Sequence, residues 1–358
     1  MRGFLSMPFR LKNWGRLFNI SLLAYSASVV AYPVYSQEHK LIMDKPGTFT
    51  IKDNGVYGES IDSYYKACTY TAEEQKVNRQ KLDNLVAVFR QTPMLAEPKG
   101  FDELVTFLHG GCDSKFGYGI PATVKFSFQD WFSVNGKIYH ATDEPPQWMM
   151  EVNQLTAHYG RGNNYINTVA NPPTNPAYNE AKREEIVLKL NELFYPAGKK
   201  ESVLEGIDRY GDMLVFYNPA RPAYWKQVTI REVFELIFEF TRTDPDLAAV
   251  EPVMQIMQAE YNRFSETQKN GFAYFGSPET ISRIGTDNRQ IPILKPNPDY
   301  WNEIIPRTSI QFMTMEIPPK EEVKRLMNQY LQNQDGTYYK YLMMYQLDTQ
   351  SLTRLIEK

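Results

Sequence analysis

Cysteine is nearly absent from this chain, with only Cys68 and Cys112 among 358 residues. That excludes a small disulfide-dense scaffold and a zinc module built on several thiolates. Histidine is scarce too, at four residues, and no H-E-x-x-H places two of them on one helix face. Neither charge sign dominates: 39 Lys and Arg stand against 42 Asp and Glu, a net charge of −3. Such a balance gives no electrostatic reason to bind nucleic acid or an anionic membrane surface. Beyond residue 36 there is no apolar run long enough to span a bilayer. What is abundant is aromatic: 14% Phe, Trp and Tyr, with 23 prolines, a composition that folds around a core instead of staying disordered.

Residues 1–36 read as an export signal. Arg2, Arg10, Lys12 and Arg16 form a basic region, and no acid occurs before Glu38. The uncharged stretch from Phe18 to Ala31 follows, and Val34-Tyr35-Ser36 sets small residues for a cut before Gln37. Cleavage would leave 35 basic groups (39 less 4) against 42 acidic ones, a net charge of −7. The expectation is an exported protein, periplasmic or extracellular, with no transmembrane segment once the signal is removed. In an oxidising compartment, Cys68 and Cys112 are expected to pair as one disulfide, worth about 4 kcal/mol by chain-entropy arithmetic.

Helix and strand signals alternate without a βαβ rhythm. Thr71-Ala72-Glu73-Glu74 is a capping box opening a helix to about Gln91, with Leu82, Leu85, Val86 and Phe89 as its buried stripe. Val124, Phe126 and Phe128 alternate with polar residues as a half-buried strand. Asn135-Gly136 then turns the chain into Lys137–His140, a β-hairpin, and Trp148 to Leu155 adds a third strand. Asn171 to Pro176 is a linker or long loop, followed by a helix with Ile186, Leu190 and Leu193 inward. Asp212 to Tyr217 reads as a buried strand. Thr229-Ile230-Arg231-Glu232 is a second capping box, and Val250, Met254, Met257, Tyr261 and Phe264 mark another helix. Gly271–Gly276 and Thr308–Ile317 read as strands. Val323, Leu326, Met327, Tyr330 and Leu331 define a C-terminal helix, with shorter helical pieces after Gly336. The strings Pro222-Ala223-Tyr224-Trp225 and Pro298-Asp299-Tyr300-Trp301 echo each other, too briefly for a repeat. The fold class is α+β, with a mainly antiparallel sheet, several amphipathic helices and a helical C-terminus. The domain reading is a strand-rich lobe over 37–176 and a helix-rich lobe over 177–358, or one continuous domain.

No catalytic or cofactor motif survives inspection. Ser63-Tyr64-Tyr65-Lys66 has serine–lysine spacing and Ser133-Val134-Asn135 follows, but the strand-borne K-T-G is missing. Gly117-Tyr118-Gly119-Ile120-Pro121-Ala122 fits a phosphate loop in form only, because a strand follows it where a helix is required. His109-Gly110-Gly111 suggests an oxyanion loop without any G-x-S-x-G elbow to serve. His109, Asp113, His140, Asp143 and His158 could hold zinc only if the fold converged them, so no metal is expected. Asp130, Asp143 and Glu144 at the hairpin ends supply acids for a glycoside-type hydrolysis beside aromatic rings.

The leading expectation is therefore a non-catalytic exported protein, without cofactor, binding an envelope glycan, peptide or protein partner. Its surface would be the hairpin region, holding Trp131, Tyr139, His140, Asp143, Trp148 and Arg161. Tyr139 and His140 are neighbours on a strand and must face opposite ways; Tyr139 is expected on the core side and Trp131 at the surface. The alternative is an envelope hydrolase, glycan- or peptidoglycan-directed, working through paired carboxylates.

Overall fold

The computed structural model describes residues 39–53, 70–109, 118–154, 175–196 and 198–357. The expected export signal, Cys68, Cys112 and Arg161 lie outside these residues. The chain is α+β, and no helix among the described residues is long and apolar enough to cross a membrane.

Two compact units emerge. The larger draws on residues 34–157, 196–226 and 296–358. Its ten-stranded sheet contains β1 (Lys40–Leu41), β2 (Phe49–Asp53), β3 (Phe101–His109), β4 (Ala122–Val134), β5 (Lys137–His140), β6 (Gln147–Val152), β7 (Lys200–Leu204), β8 (Ile207–Tyr210), β9 (Met213–Tyr217) and β10 (Phe312–Glu316). The order is β2-β3-β4-β6-β10-β9-β8-β7, with β1 and β5 both pairing β4. Among the described residues only β2 and β3 are parallel, and the chain between them contains helix α1 (Ala72–Phe89). A parallel pair needs such a long crossover, whereas β4 and β5 are joined by two residues. Asn135 and Gly136 both sit at positive φ, 52° and 76°, as a tight hairpin turn demands.

Helix α1 begins where its capping box says: Thr71 accepts from the Glu74 N–H, and Glu74 reaches back to the Thr71 N–H at 2.8 Å. Leu82, Leu85, Val86 and Phe89 are fully buried on one side of it. They meet the inward residues of the sheet, including Val105, Phe126, Trp148 and Met150. Each such side chain contributes about 1.5–3 kcal/mol when removed from water. Helices α2 (Lys320–Gln332) and α3 (Thr337–Gln346) contribute Val323, Tyr339 and Met343 to the same core.

At the β10–β9 end of the sheet, the opposite face is covered by aromatics. The two Pro-x-Tyr-Trp strings meet there: Tyr224 and Tyr300 pack edge-on at 6.2 Å, and both lie against Phe312. Asn297 clamps one string to the other, its N–H donating to the Tyr224 carbonyl at 2.9 Å. The echo in the sequence is thus a packing motif.

The smaller unit draws on 158–195 and 227–295, described from Asn175. Helix Ile230–Arg242 starts at the second capping box and packs between helices Glu180–Glu192 and Leu247–Arg263. Buried Arg183 donates to the Phe240 carbonyl and to Asp244, while Asn175 Nδ2 donates to the carbonyls of Arg242 and Asp244. Together they satisfy carbonyls at that helix's end, which would otherwise be orphaned.

Candidate functional site

Strand β4 has 13 residues against nine in β3 and six in β6, so its far end runs past both neighbours. That overhang is where β5 and β1 attach, with Trp131 opposite His140 and Phe132 opposite Tyr139. Strand alternation sends Trp131 and His140 to the face away from α1, and Phe132 and Tyr139 to the other. On the first face the imidazole of His140 lies flat on the Trp131 indole, centroids 3.9 Å apart and planes 5° from parallel. The Lys45 ammonium sits 3.7 Å from the same ring centroid. Two groups so close to one centroid cannot share a side, so lysine and histidine cover opposite faces of the indole. The cation over the ring is favourable by about 0.5–2 kcal/mol.

Asp102 completes the array. Its Oδ2 lies 3.2 Å from His140 Nε2, although the angle falls short of a hydrogen bond. Its Oδ1 is held by the Thr48 N–H at 2.6 Å and the Thr48 hydroxyl at 3.0 Å. Lys45, by contrast, has no carboxylate at ion-pair distance among the described residues. The indole Nε1–H of Trp131 is buried and has no acceptor among the described residues. An orphaned buried donor costs about 1–3 kcal/mol. Gln129, opposite Asp102, adjoins the array, and Thr106, Lys125, Met149 and Glu151 lie farther along the same face, all half-buried or exposed.

The other residues singled out from sequence do not join this array. Trp148 is a core residue, 3% exposed, with its ring 5.5 Å from both Phe89 and Phe126 and its Nε1–H donating to the Glu316 carbonyl at 2.7 Å. The reason is register: Trp148, Met150 and Val152 point toward α1, and Gln147, Met149 and Glu151 point away. Tyr139, expected on the core side, is 40% exposed although its ring stacks on Phe132. Asp143 and Glu144 are exposed in the loop after β5, while Asp130 is buried on the helix side.

Nor do His109 and His140 converge, and Asp113 and His158 lie outside the described residues. His140 stands beside Asp102 at the start of β3, and His109 ends that strand, about 20 Å away at the usual rise per residue. No group of three or more His, Cys, Asp or Glu side chains suits a metal among the described residues. The His109 side chain is fully buried, with Nε2 2.9 Å from Asp53 Oδ1 and Nδ1 3.5 Å from the Asn78 amide. Arg79 holds the other Asp53 oxygen at 2.8 Å. Burial lowers the His109 pKa, Asp53 works against that shift, and Arg79 adds to it. A neutral imidazole donating to Asp53 fits these distances and ties the ends of β2 and β3 to α1.

Lys45 and Asp102 were not visible as site residues in the sequence. Neither carries a motif: the pairing of β3 with β4 brings Asp102 to Trp131, and Gly100, whose N–H donates to the Lys45 carbonyl at 2.7 Å and whose carbonyl accepts from the Trp131 N–H, brings Lys45 there. Comparison with family models, with curated proteins and with solved structures yields no match.

Proposed function

We propose that this is an exported, non-catalytic binding protein of the cell envelope, taking a glycan or peptide ligand on the open face around Trp131. The observation that carries the reading is the unpartnered indole N–H of Trp131, set between the Lys45 ammonium and the His140 imidazole. Both ring faces are already covered, so a sugar has no indole face to stack on. The ligand is recognised instead through an acceptor oxygen, a carboxylate first of all, which the N–H and the ammonium together would hold. A hydrogen bond to a charged acceptor contributes about 1.5–3 kcal/mol, or roughly 10–100-fold in affinity.

Calorimetric titration with soluble muropeptides, which carry both sugars and free carboxylates, tests this. Trp131→Phe keeps an aromatic ring for Lys45 and His140 and removes only the donor. Affinity should fall at least about tenfold in that variant while the melting temperature holds. Equal affinity in wild type and variant would refute the site. For export, intact mass of protein recovered outside the cytoplasm should correspond to a start at or near Gln37; a mass retaining Phe18 to Ala31 would mean an uncleaved anchor.

A hydrolase is the second reading, and one observation favours it. Asp130 is pushed up to about 6 by burial and by Asp335, as a general acid requires. Mass spectrometry of the same muropeptide mixtures separates the two: new cleavage products, abolished by Asp130→Asn, would establish the enzyme.

A further inference from the structure

At the far edge of the sheet, Asp208 on β8 has a fully buried carboxylate. Oδ2 accepts from the Tyr224 hydroxyl at 2.5 Å and lies 2.7 Å from the Lys200 ammonium. Oδ1 accepts from the Tyr217 hydroxyl at 3.4 Å. The ammonium also lies 5.7 Å from the ring centroid of Tyr217 and 5.5 Å from that of Tyr224, two rings inclined at 54°. One carboxylate and two aromatic faces around a cation is the composition by which proteins recognise alkylammonium groups.

The components of this cage differ in how firmly they are held. Tyr224 is fixed by its bond to Asp208, by the Tyr210 hydroxyl at 3.2 Å and by Asn297, whose N–H binds its carbonyl. Tyr217 and Asp208 belong to strands paired along their length. None of these contacts involves Lys200. Lys200 itself begins β7, an edge strand exposed at all five positions, and its side chain is 52% exposed. The cage is therefore preorganised without its cation, and the cation is its one half-exposed member. We propose that the Asp208–Tyr217–Tyr224 cage is a binding site for a primary alkylammonium group of an external ligand, with Lys200 as the occupant it displaces. This stands independently of the Trp131 face, which lies on other strands.

The probe is n-butylammonium, with n-butanol and sodium chloride as controls. Lys200→Ala should melt lower than wild type and should regain stability saturably as n-butylammonium is added. Neither control should restore it, and Lys200→Ala/Asp208→Asn should not respond. If Lys200→Ala melts no higher with the amine than with the controls, the proposal falls. Wild-type protein supplies a test that does not depend on that variant folding. The Lys200 ammonium, slowed in proton exchange by Asp208, should give an NMR signal that is lost on titration with n-butylammonium and kept with sodium chloride. A signal that persists at every amine concentration the fold tolerates would overturn the proposal equally.

Discussion

Trp148→Ala lowers the stability of the larger unit by about 3–5 kcal/mol, the largest loss expected from any single truncation in the hairpin region. The residue is 3% exposed and lies where α1 meets the sheet, its indole against Phe89 and Phe126. Removing it costs the transfer energy of the ring and leaves a cavity that two phenylalanines cannot fill without leaving their rotamers. It also strips the Glu316 carbonyl of the indole N–H, leaving an acceptor without its donor at the junction of β6 and β10. Urea denaturation should show a lower midpoint with an unchanged slope. Tyr139→Ala is the matched contrast. That side chain is 40% exposed and makes a cross-strand stack on Phe132, so its removal costs about 1 kcal/mol or less. Comparable losses in both variants would mean that the cover over this face extends to Tyr139 at the β4 overhang.

That contrast marks where sequence reading succeeds here and where it stops. Local chemistry was legible. Thr71 and Thr229 open helices with both halves of the capping box made, and Asn135-Gly136 turns a hairpin at the expected residues. The alternation of β4 and the opposed facing of Tyr139 and His140 were legible as well. What was not legible is how far the cover reaches: Tyr139 lies on the α1 side of the β4 overhang yet is 40% exposed, and Trp148 falls on the covered face of β6. Strand β3 escaped notice for a physical reason: its inward positions are Phe101, Glu103, Val105, Phe107 and His109, two of them polar. Outward Leu104 and Leu108 blur the pattern further. The hairpin of β7 and β8 was missed as well, since Lys200 to Leu204 is exposed throughout and offers no buried face to read. Trp131 and His140 could be singled out as chemistry-bearing residues on one hairpin. Lys45 and Asp102 depend on pairings that no short-range pattern announces.

The buried acids give the other large effect, and its sign is opposite to that of an ordinary surface carboxylate. Asp130 follows Phe128 on the helix-facing side of β4, 5% exposed, and its carboxylate lies so close to Gly336 that any side chain there would collide. Burial raises its pKa from the ordinary 3.8 to about 6; its own backbone N–H opposes the shift, and Asp335 adds to it. Tyr339, packed on Phe101 nearby, brings a buried hydroxyl with no partner among the described residues and no positive charge. A carboxyl whose folded pKa exceeds its unfolded value holds its proton more tightly in the native state. Below the unfolded pKa both states are protonated and nothing is lost. As the pH rises through the folded value near 6, the native state must bury a charge, and stability falls by about 3 kcal/mol in all. Glu103, 1% exposed, is raised well above its ordinary range by burial, against a weaker pull from the Ser127 backbone. It therefore acts in the same direction. Other groups move the wild-type curve too: neutral His109 favours the fold less as the pH drops below its unfolded value. The difference between Asp130→Asn and wild type isolates the one carboxyl, and any fixed cost of fitting the amide cancels when only its change with pH is read. Measured by urea unfolding, that difference should grow in the variant's favour by about 3 kcal/mol between roughly pH 4 and pH 7. Profiles that run parallel across the window would mean that Asp130 titrates as an ordinary aspartate, and the buried charge beneath α3 would have to be discarded.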